Sequence, residues 1–486
     1  MIKNIIKGAK TIGFYTILSR IMGFFRDIVI AHFFGASLLT DIFFVSFRIP
    51  NTFRAFLGEG AMNAAVVPVL SDYKKDAAAT GNLIVVFFFI FLALTAVGVF
   101  FPQIFAYIFA PGLLKHPLLI KLIRINFPYI LLIGSAILFS GIMNTHKHFA
   151  TPAFSPILLN VSLIACTYIF YSFFNIHIYA LCIGVLMGGL LQMLFCMGGV
   201  FYLHIPIKLS FHIKPSTKKI FTLLLPALGS MAAIQLYSVF STLIASLLEK
   251  GSISYIWYAD RLFQLPFAVL SISLSQAALP YLADMKIEEI NTHLNRLFRL
   301  ITFIIPPISV FLIIWGEDVV RIIFVRGAFT LSNAHNTYLA LAMFMIGLLP
   351  YSYVKLFSSI FYSFKDTKTP MKVAVKTAIF SIAMAFLLGF TLGFWGLALA
   401  FSLGGIINAF LLSHQLKKKI GKFAGRKELG LICGSFALSF LCASFVNIFL
   451  SFLNLSFIPQ FILEFFLFFS LVFIFIAIFR WQRVHL

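Results

Sequence analysis

Residues 19–72 read SRIMGFFRDIVIAHFFGASLLTDIFFVSFRIPNTFRAFLGEGAMNAAVVPVLSD. Most of this stretch is apolar enough to sit in a membrane, yet it carries Arg20, Arg26, Asp27, Asp41, Arg48, Arg54 and Glu59. An arginine at the centre of a membrane helix costs roughly 2.5–3.5 kcal/mol even on the lenient insertion scale. Four arginines within two hydrophobic segments are therefore hard to place against lipid. They are expected to line a wet interior cavity, and their sign points to an anionic cargo.

The rest of the chain supports a membrane setting. It has 486 residues, of which 61% are hydrophobic and only 11% charged, with a mean hydropathy of +1.02. An ordinary soluble domain is about 25% charged, so that class is excluded. Apolar runs of about 20 residues, each long enough to span a bilayer as a helix, recur from end to end. The expected fold is an all-α polytopic membrane protein with fourteen spans. They lie near 12–34, 38–67, 82–110, 120–144, 152–173, 178–203, 219–247, 252–282, 297–325, 335–363, 370–392, 395–415, 428–453 and 458–480. Breaks at Pro50, Pro266 or Pro306-Pro307, or tilt, accommodate the longer ones.

The net charge of +22 follows from topology and does not indicate nucleic acid. Alternate loops hold Lys74-Lys75, Lys147, Lys208 to Lys219, Lys286 to Arg299, Lys365 to Lys372 and Lys417 to Lys427. The intervening loops hold only Lys115, Lys121, Lys250, Arg321 and Arg326. Arg480 and Arg483 fall on the side of Lys3, so both termini are expected in the cytoplasm. Lys3, Lys7 and Lys10 before an apolar run imitate a signal peptide, but Arg20 and Arg26 interrupt the run, which reads as a retained first helix. The five cysteines all fall in apolar segments, read as small buried hydrophobes, and match no metal or disulfide spacing.

An internal repeat organises the spans. Residues 65–72 (AVVPVLSD) echo 277–284 (AALPYLAD), and Pro128-Tyr129 echoes Pro350-Tyr351. Each proline-tyrosine pair opens a segment that ends in a short basic loop closed by Thr151-Pro152 or Thr369-Pro370. The offset covers six helices, an even number, so both copies enter the membrane in the same orientation. The expected domains are a lobe over 1–215, a second lobe over 216–420, and two further helices over 421–486. Two such lobes about a central site form a known transporter architecture.

Arg20 and Asp27 are seven residues apart and share a helix face, as do Asp41 and Arg48. Asp260-Arg261 stands at the equivalent place in the second lobe. The acids either lock helices together as ion pairs or belong to the cavity. The arginines outnumber them, and the guanidinium fork suits phosphate and carboxylate. Pro50-Asn51 and Gly58-Glu59-Gly60 flank Arg54, making the second span a bending element or a packing kink, with Glu59 as a gate partner. Lys376 lies near the cytoplasmic end of its span. No phosphate-binding glycine loop, catalytic triad or metal cluster is present in the sequence, so a transporter is expected rather than an enzyme.

These residues resemble the lipid II flippases, the MurJ (formerly MviN) family of the multidrug/oligosaccharidyl-lipid/polysaccharide exporter superfamily. The resemblance rests on 19–27 (SRIMGFFRD), Phe34-Gly35-Ala36, Thr40-Asp41, Pro50-Asn51, Arg54 and Glu59-Gly60-Ala61. It continues through 149–160 (FATPAFSPILLN), Tyr258-Ala259-Asp260-Arg261, 326–330 (RGAFT) and 366–370 (DTKTP). It implies two six-helix lobes plus helices 13 and 14, which in the family help form a groove for the lipid tail. It implies as cargo the undecaprenyl-pyrophosphate-linked precursor of peptidoglycan, moved across the bacterial cytoplasmic membrane by alternating access in support of cell wall and cell shape. The family's cavity arginines map onto Arg20, Arg26, Arg54 and Arg261, and its cavity acids onto Asp27 and Asp41. Arg48, Glu59, Asp260 and Lys376 would be gate or accessory groups. Lipid II and membrane lipids are the implied partners, with room for cell-wall synthesis proteins. No cofactor is implied. Some members bind sodium in the second lobe, but Ser241, Ser381 and Ala385 occupy those positions here. Without a carboxylate the sodium site is in doubt, and membrane potential is the expected drive, with Lys376 as a partial stand-in for the cation. The rivals are a flippase for another lipid-linked glycan, a cation/drug antiporter, which should carry unpaired acids, and a membrane enzyme acting on polyprenyl phosphates.

Overall fold

The computed structural model describes residues 2–58, 61–73, 76–275, 287–421, 426–453 and 456–482. Glu59, Gly60, Lys74, Lys75, residues 277–284, Lys286, Lys422 and Arg483 lie outside these residues. The described chain is helical, as lipid demands of a backbone that must satisfy its own hydrogen bonds. In order the helices are α1 (Ile2–Phe34), α2 (Leu38–Gly58), α3 (Ala61–Asp72), α4 (Ala77–Phe100), α5 (Pro102–Phe109), α6 (Pro117–Asn126) and α7 (Tyr129–Thr145). There follow α8 (Ala150–Phe170), α9 (Tyr179–Tyr202), α10 (Pro215–Ser246), α11 (Ser252–Pro266), α12 (Ile287–Ile314) and α13 (Gly316–Phe324). The last six are α14 (Leu331–Ile346), α15 (Leu348–Ser363), α16 (Lys368–Leu392), α17 (Phe394–Ile420), α18 (Arg426–Ser451) and α19 (Phe457–Gln482).

Every expected span finds helix, but several are broken. The span expected over 82–110 divides at Phe101, before Pro102, and that over 120–144 divides at Phe127-Pro128. The span over 297–325 divides at Trp315, and that over 335–363 bends by 43° between α14 and α15. Proline removes a backbone donor and clashes with the preceding turn, which accounts for the first two breaks. After Pro266, residues Phe267–Ile272 wind as a π-helical stretch, the local widening by which helices absorb such a disruption. Among the described residues, nine helices are long and apolar enough to cross a membrane, or up to ten if the bent pair is one span. The expected spans over 12–34, 38–67, 219–247 and 252–282 are not among them. Three of those four carry the charges singled out in the sequence.

The two ends of the internal repeat share one turn. After α7, Lys147 takes φ 60° while its N–H reaches Asn144 O (3.0 Å) and that of His148 reaches Met143 O (3.1 Å). After α15, Lys365 takes φ 60° with Lys365 N–H on Tyr362 O and Asp366 N–H on Phe361 O, both 2.9 Å. These are helix C-caps of the left-handed type, closed by a lysine where glycine is usual. The following helix is then held by a side chain on its threonine: His148 Nε2 lies 2.8 Å from Thr151 Oγ1, and Asp366 accepts from the N–H and hydroxyl of Thr369.

The chain forms two compact units, one of residues 1–254 with 326–330, the other of 255–325 with 331–486. In the first, α10 packs on α3 and α2, α8 on α9, and α1 on α8. Its core is aromatic, with Phe43, Phe44, Phe87, Phe91, Phe127 and Tyr129 fully buried. Residues 326–330 join this unit through Ala328 N–H, which donates to His32 O at 2.7 Å. Gly327 makes that approach possible: its φ is +59°, and a Cβ there would collide with the His32 carbonyl and ring. In the second unit α17 packs on α16 and on the bent pair. The terminal helices α18 and α19 pack on α12 through Phe311, Trp315, Val446 and Phe468, with Trp315 Nε1 donating to Asn447 Oδ1 at 3.1 Å. Of the cysteines, Cys166, Cys182, Cys196 and Cys442 are buried, whereas Cys433 is exposed, on an apolar helix that needs no cover in lipid.

Candidate functional site

In the first unit, α1 brings Arg26 and Asp27 into the interior, 6% and 0% exposed. Arg26 Nη2 lies 2.7 Å from Asp27 Oδ1, and Nε donates to the same oxygen at 3.0 Å. Nη1 donates to Oδ1 of Asn160 on α8 at 3.1 Å. Asn160 in turn donates from Nδ2 to the Ser19 carbonyl, 3.1 Å away. A carboxylate and an amide thus hold one guanidinium, and a buried charge that is paired and hydrogen-bonded is tolerable where a bare one is not. Arg20 shares this helix but is exposed. Positions seven apart stand about 10.5 Å apart along the axis, so Asp27 pairs with its chain neighbour.

Asp41 lies on α2, 2% exposed. It accepts from Gly251 N–H (2.6 Å), Ser254 N–H (2.8 Å) and Ser254 Oγ (2.6 Å). Ser254 is in the first turn of α11, and Gly251, just before that helix at φ 95°, has no side chain to cap it. Asp41 therefore supplies the missing N-cap from another helix. Arg48, seven residues on, donates to Thr242 Oγ1 on α10. Arg54 is half-buried and donates from Nε to Asn51 Oδ1 at 2.6 Å, across the turn after Pro50. Tyr129, at the start of α7, is fully buried and its hydroxyl has no hydrogen-bond partner among the described residues.

In the second unit, α11 continues through Asp260 and Arg261, both half-buried. Gln264 donates to Asp260, and the Arg261 guanidinium stands 4.8 Å from the centre of the Trp257 ring. The aromatic face stabilises that cation without neutralising it. Lys376 on α16 is exposed. Ser241, in the first unit, and Ser381, in the second, are 7% and 5% exposed, and Ala385 is buried. Among the described residues, no group of three or more His, Cys, Asp or Glu side chains is arranged to hold a metal ion.

Sequence reading missed Asn160, Trp257 and the Gly251–Ser254 turn as partners. The first two stand inside motifs quoted above or beside them, and a lone asparagine in an apolar run is the signal that could have been used. Outside the spans, two carboxylates tie basic loops. Asp76 caps α4 and holds Lys214 Nζ at 3.1 Å. The Lys214 bond first, and then the Ala79 N–H, keep its carboxyl below the usual range. Asp366 is held low chiefly by the Thr369 N–H, with Lys419 Nζ at 3.1 Å adding to it.

The profile of the family described as "Lipid II flippase MurJ" matches residues 30–472. A protein of Buchnera aphidicola subsp. Acyrthosiphon pisum, described as "Probable lipid II flippase MurJ", is 36% identical over 431 residues, covering 86% of this chain and 84% of its own. The "Lipid II flippase MurJ" of Burkholderia cenocepacia is 32% identical over 437 residues, covering 86% and 84%. A solved structure titled "Lipid II flippase MurJ, inward closed conformation" superposes with a TM-score of 0.86 at 28% identity, covering 97% of this chain and 99% of that one. An inward-facing multidrug transporter of the MATE family, at 15% identity and TM-score 0.68, shares the fold. With most of its length matched in both sequence and structure, this multi-pass membrane protein belongs to the lipid II flippase MurJ family, a family of transporters and not of enzymes.

Proposed function

We propose that this chain carries lipid II from the cytoplasmic to the outer leaflet of the bacterial inner membrane, with both termini in the cytoplasm. Two six-helix lobes alternate access to a cavity in which Arg20, Arg26, Arg54 and Arg261 hold the pyrophosphate head. The polyprenyl tail stays in lipid beside the last two helices. The observation that carries this reading is Arg26: a guanidinium kept inside an apolar helix pair by an anionic carboxylate and an amide, 2.7 and 3.1 Å away. An arginine fork that suits a carboxylate also suits a pyrophosphate, which it can meet bidentately. Neutralising the pyrophosphate lowers the cost of carrying it through a low-dielectric region. The drive is the membrane potential, worth about 2.3 kcal/mol per charge per 100 mV. In cells depleted of their own lipid II flippase, expression of this chain should restore labelling of lipid II on the outer face, and expression-matched Arg26→Ala should not. Normal labelling with Arg26→Ala refutes the arginine site; no labelling from well-inserted wild type refutes the cargo.

A further inference from the structure

We propose that Asn160 is a positioning residue for substrate binding, setting the Arg26 guanidinium in the orientation that takes up the pyrophosphate. The inference rests on the reading of Arg26 as a pyrophosphate ligand. Asn160 sits on α8, 6% exposed, and turns both ends of its amide toward α1. Guanidinium can only donate and a backbone carbonyl can only accept. Hence Oδ1 must face Arg26 Nη1 (3.1 Å) and Nδ2 must face Ser19 O (3.1 Å). The amide is matched to this place: a carboxylate would offer no donor to Ser19, and an apolar side chain would offer nothing to either. The carbonyl of Ser19, on the same helix as Arg26, anchors the other end of the amide.

Asp27 holds the guanidinium from its Nε and Nη2 side, through one oxygen. Bidentate recognition of a phosphate needs the plane of the fork held in one orientation. Asn160 fixes it from Nη1. Asn160 does not touch the ligand in this scheme and adds no charge.

The test uses purified full-length protein and farnesyl pyrophosphate as a soluble probe, with farnesol as the control lacking the anion. Asn160→Leu, close in volume, should weaken probe binding about tenfold, the scale of one hydrogen bond to a charged group. In an Arg26→Ala background it should cost nothing more, because it acts only through Arg26. Farnesol binding should be the same for all variants. Asn160→Ser, too short to reach both partners, should repeat the result if the leucine variant folds poorly. Weakening of equal size in the Arg26→Ala background, or unchanged binding in both Asn160 variants, overturns the positioning role. Unchanged binding in Arg26→Ala itself overturns instead the reading of the arginine as a ligand.

Discussion

Removing the Asp41 carboxylate should uncap α11. Its three hydrogen bonds hold the first turn of α11, the helix that carries Arg261. Asp41→Ala removes the acceptor from two buried backbone groups, the N–H of Gly251 and of Ser254. Each buried donor left without an acceptor costs about 1–3 kcal/mol, so the variant should lose about 2–6 kcal/mol. The Ser254 hydroxyl is not counted, because it can turn to another acceptor. Asp41→Asn keeps one acceptor oxygen and should lose about half as much, roughly 1–3 kcal/mol for one orphaned N–H. Thermal unfolding of the full-length protein in detergent should therefore rank wild type above Asn above Ala. Hydrogen exchange should localise the damage, with faster exchange beginning at Gly251 and running into the first turns of α11. If both variants unfold at the wild-type temperature, or if exchange over α11 is unchanged while the protein loses stability elsewhere, the capping argument is wrong.

Three other outcomes follow from single residues. Tyr129→Phe removes a buried hydroxyl that has no partner among the described residues; the unfolding temperature should hold or rise, by a gain of up to about 1–3 kcal/mol, and a clear fall would show that the hydroxyl is bonded. Gly327→Ala forces a left-handed backbone on an L-residue, about 1–2 kcal/mol, and drives a methyl into His32; a lowered melting temperature and faster proteolysis at 326–330 are expected, and unchanged values would refute the close packing. For Asp76 the folded-state carboxyl titrates below its usual value. Its contribution is therefore present above the ordinary carboxylate range and lost as pH falls through the lowered value. Asp76→Asn should be less stable than wild type at neutral pH, with the difference closing in acid; a difference that persists at the acid end would show that the carboxylate charge is not its source.

Hydropathy alone determined that this is a helical, multi-pass protein: among the described residues each expected span falls on helix, although α1 and α12 begin about ten residues before the expected starts and four charged or interrupted spans do not pass as apolar crossings. The reason is that partition into lipid is nearly a property of each segment by itself: twenty apolar residues prefer hydrocarbon whatever their neighbours. The same single-segment argument made Arg26, Asp27 and Asp41 conspicuous, because a charge in such a segment must find a partner. Which partner it finds is a pair property, and only the tertiary structure decided it. Asp41 shares a helix face with Arg48, seven residues on, yet it holds the N–H groups of Gly251 and Ser254, 210 and 213 residues away. Arg26 takes the adjacent Asp27 and, 134 residues away, Asn160. Helix ends and kinks create unpaired backbone donors and acceptors whose positions depend on how helices pack. A sequence can show that a buried carboxylate must be satisfied, but only packing brings a capless glycine turn within 2.6 Å of it.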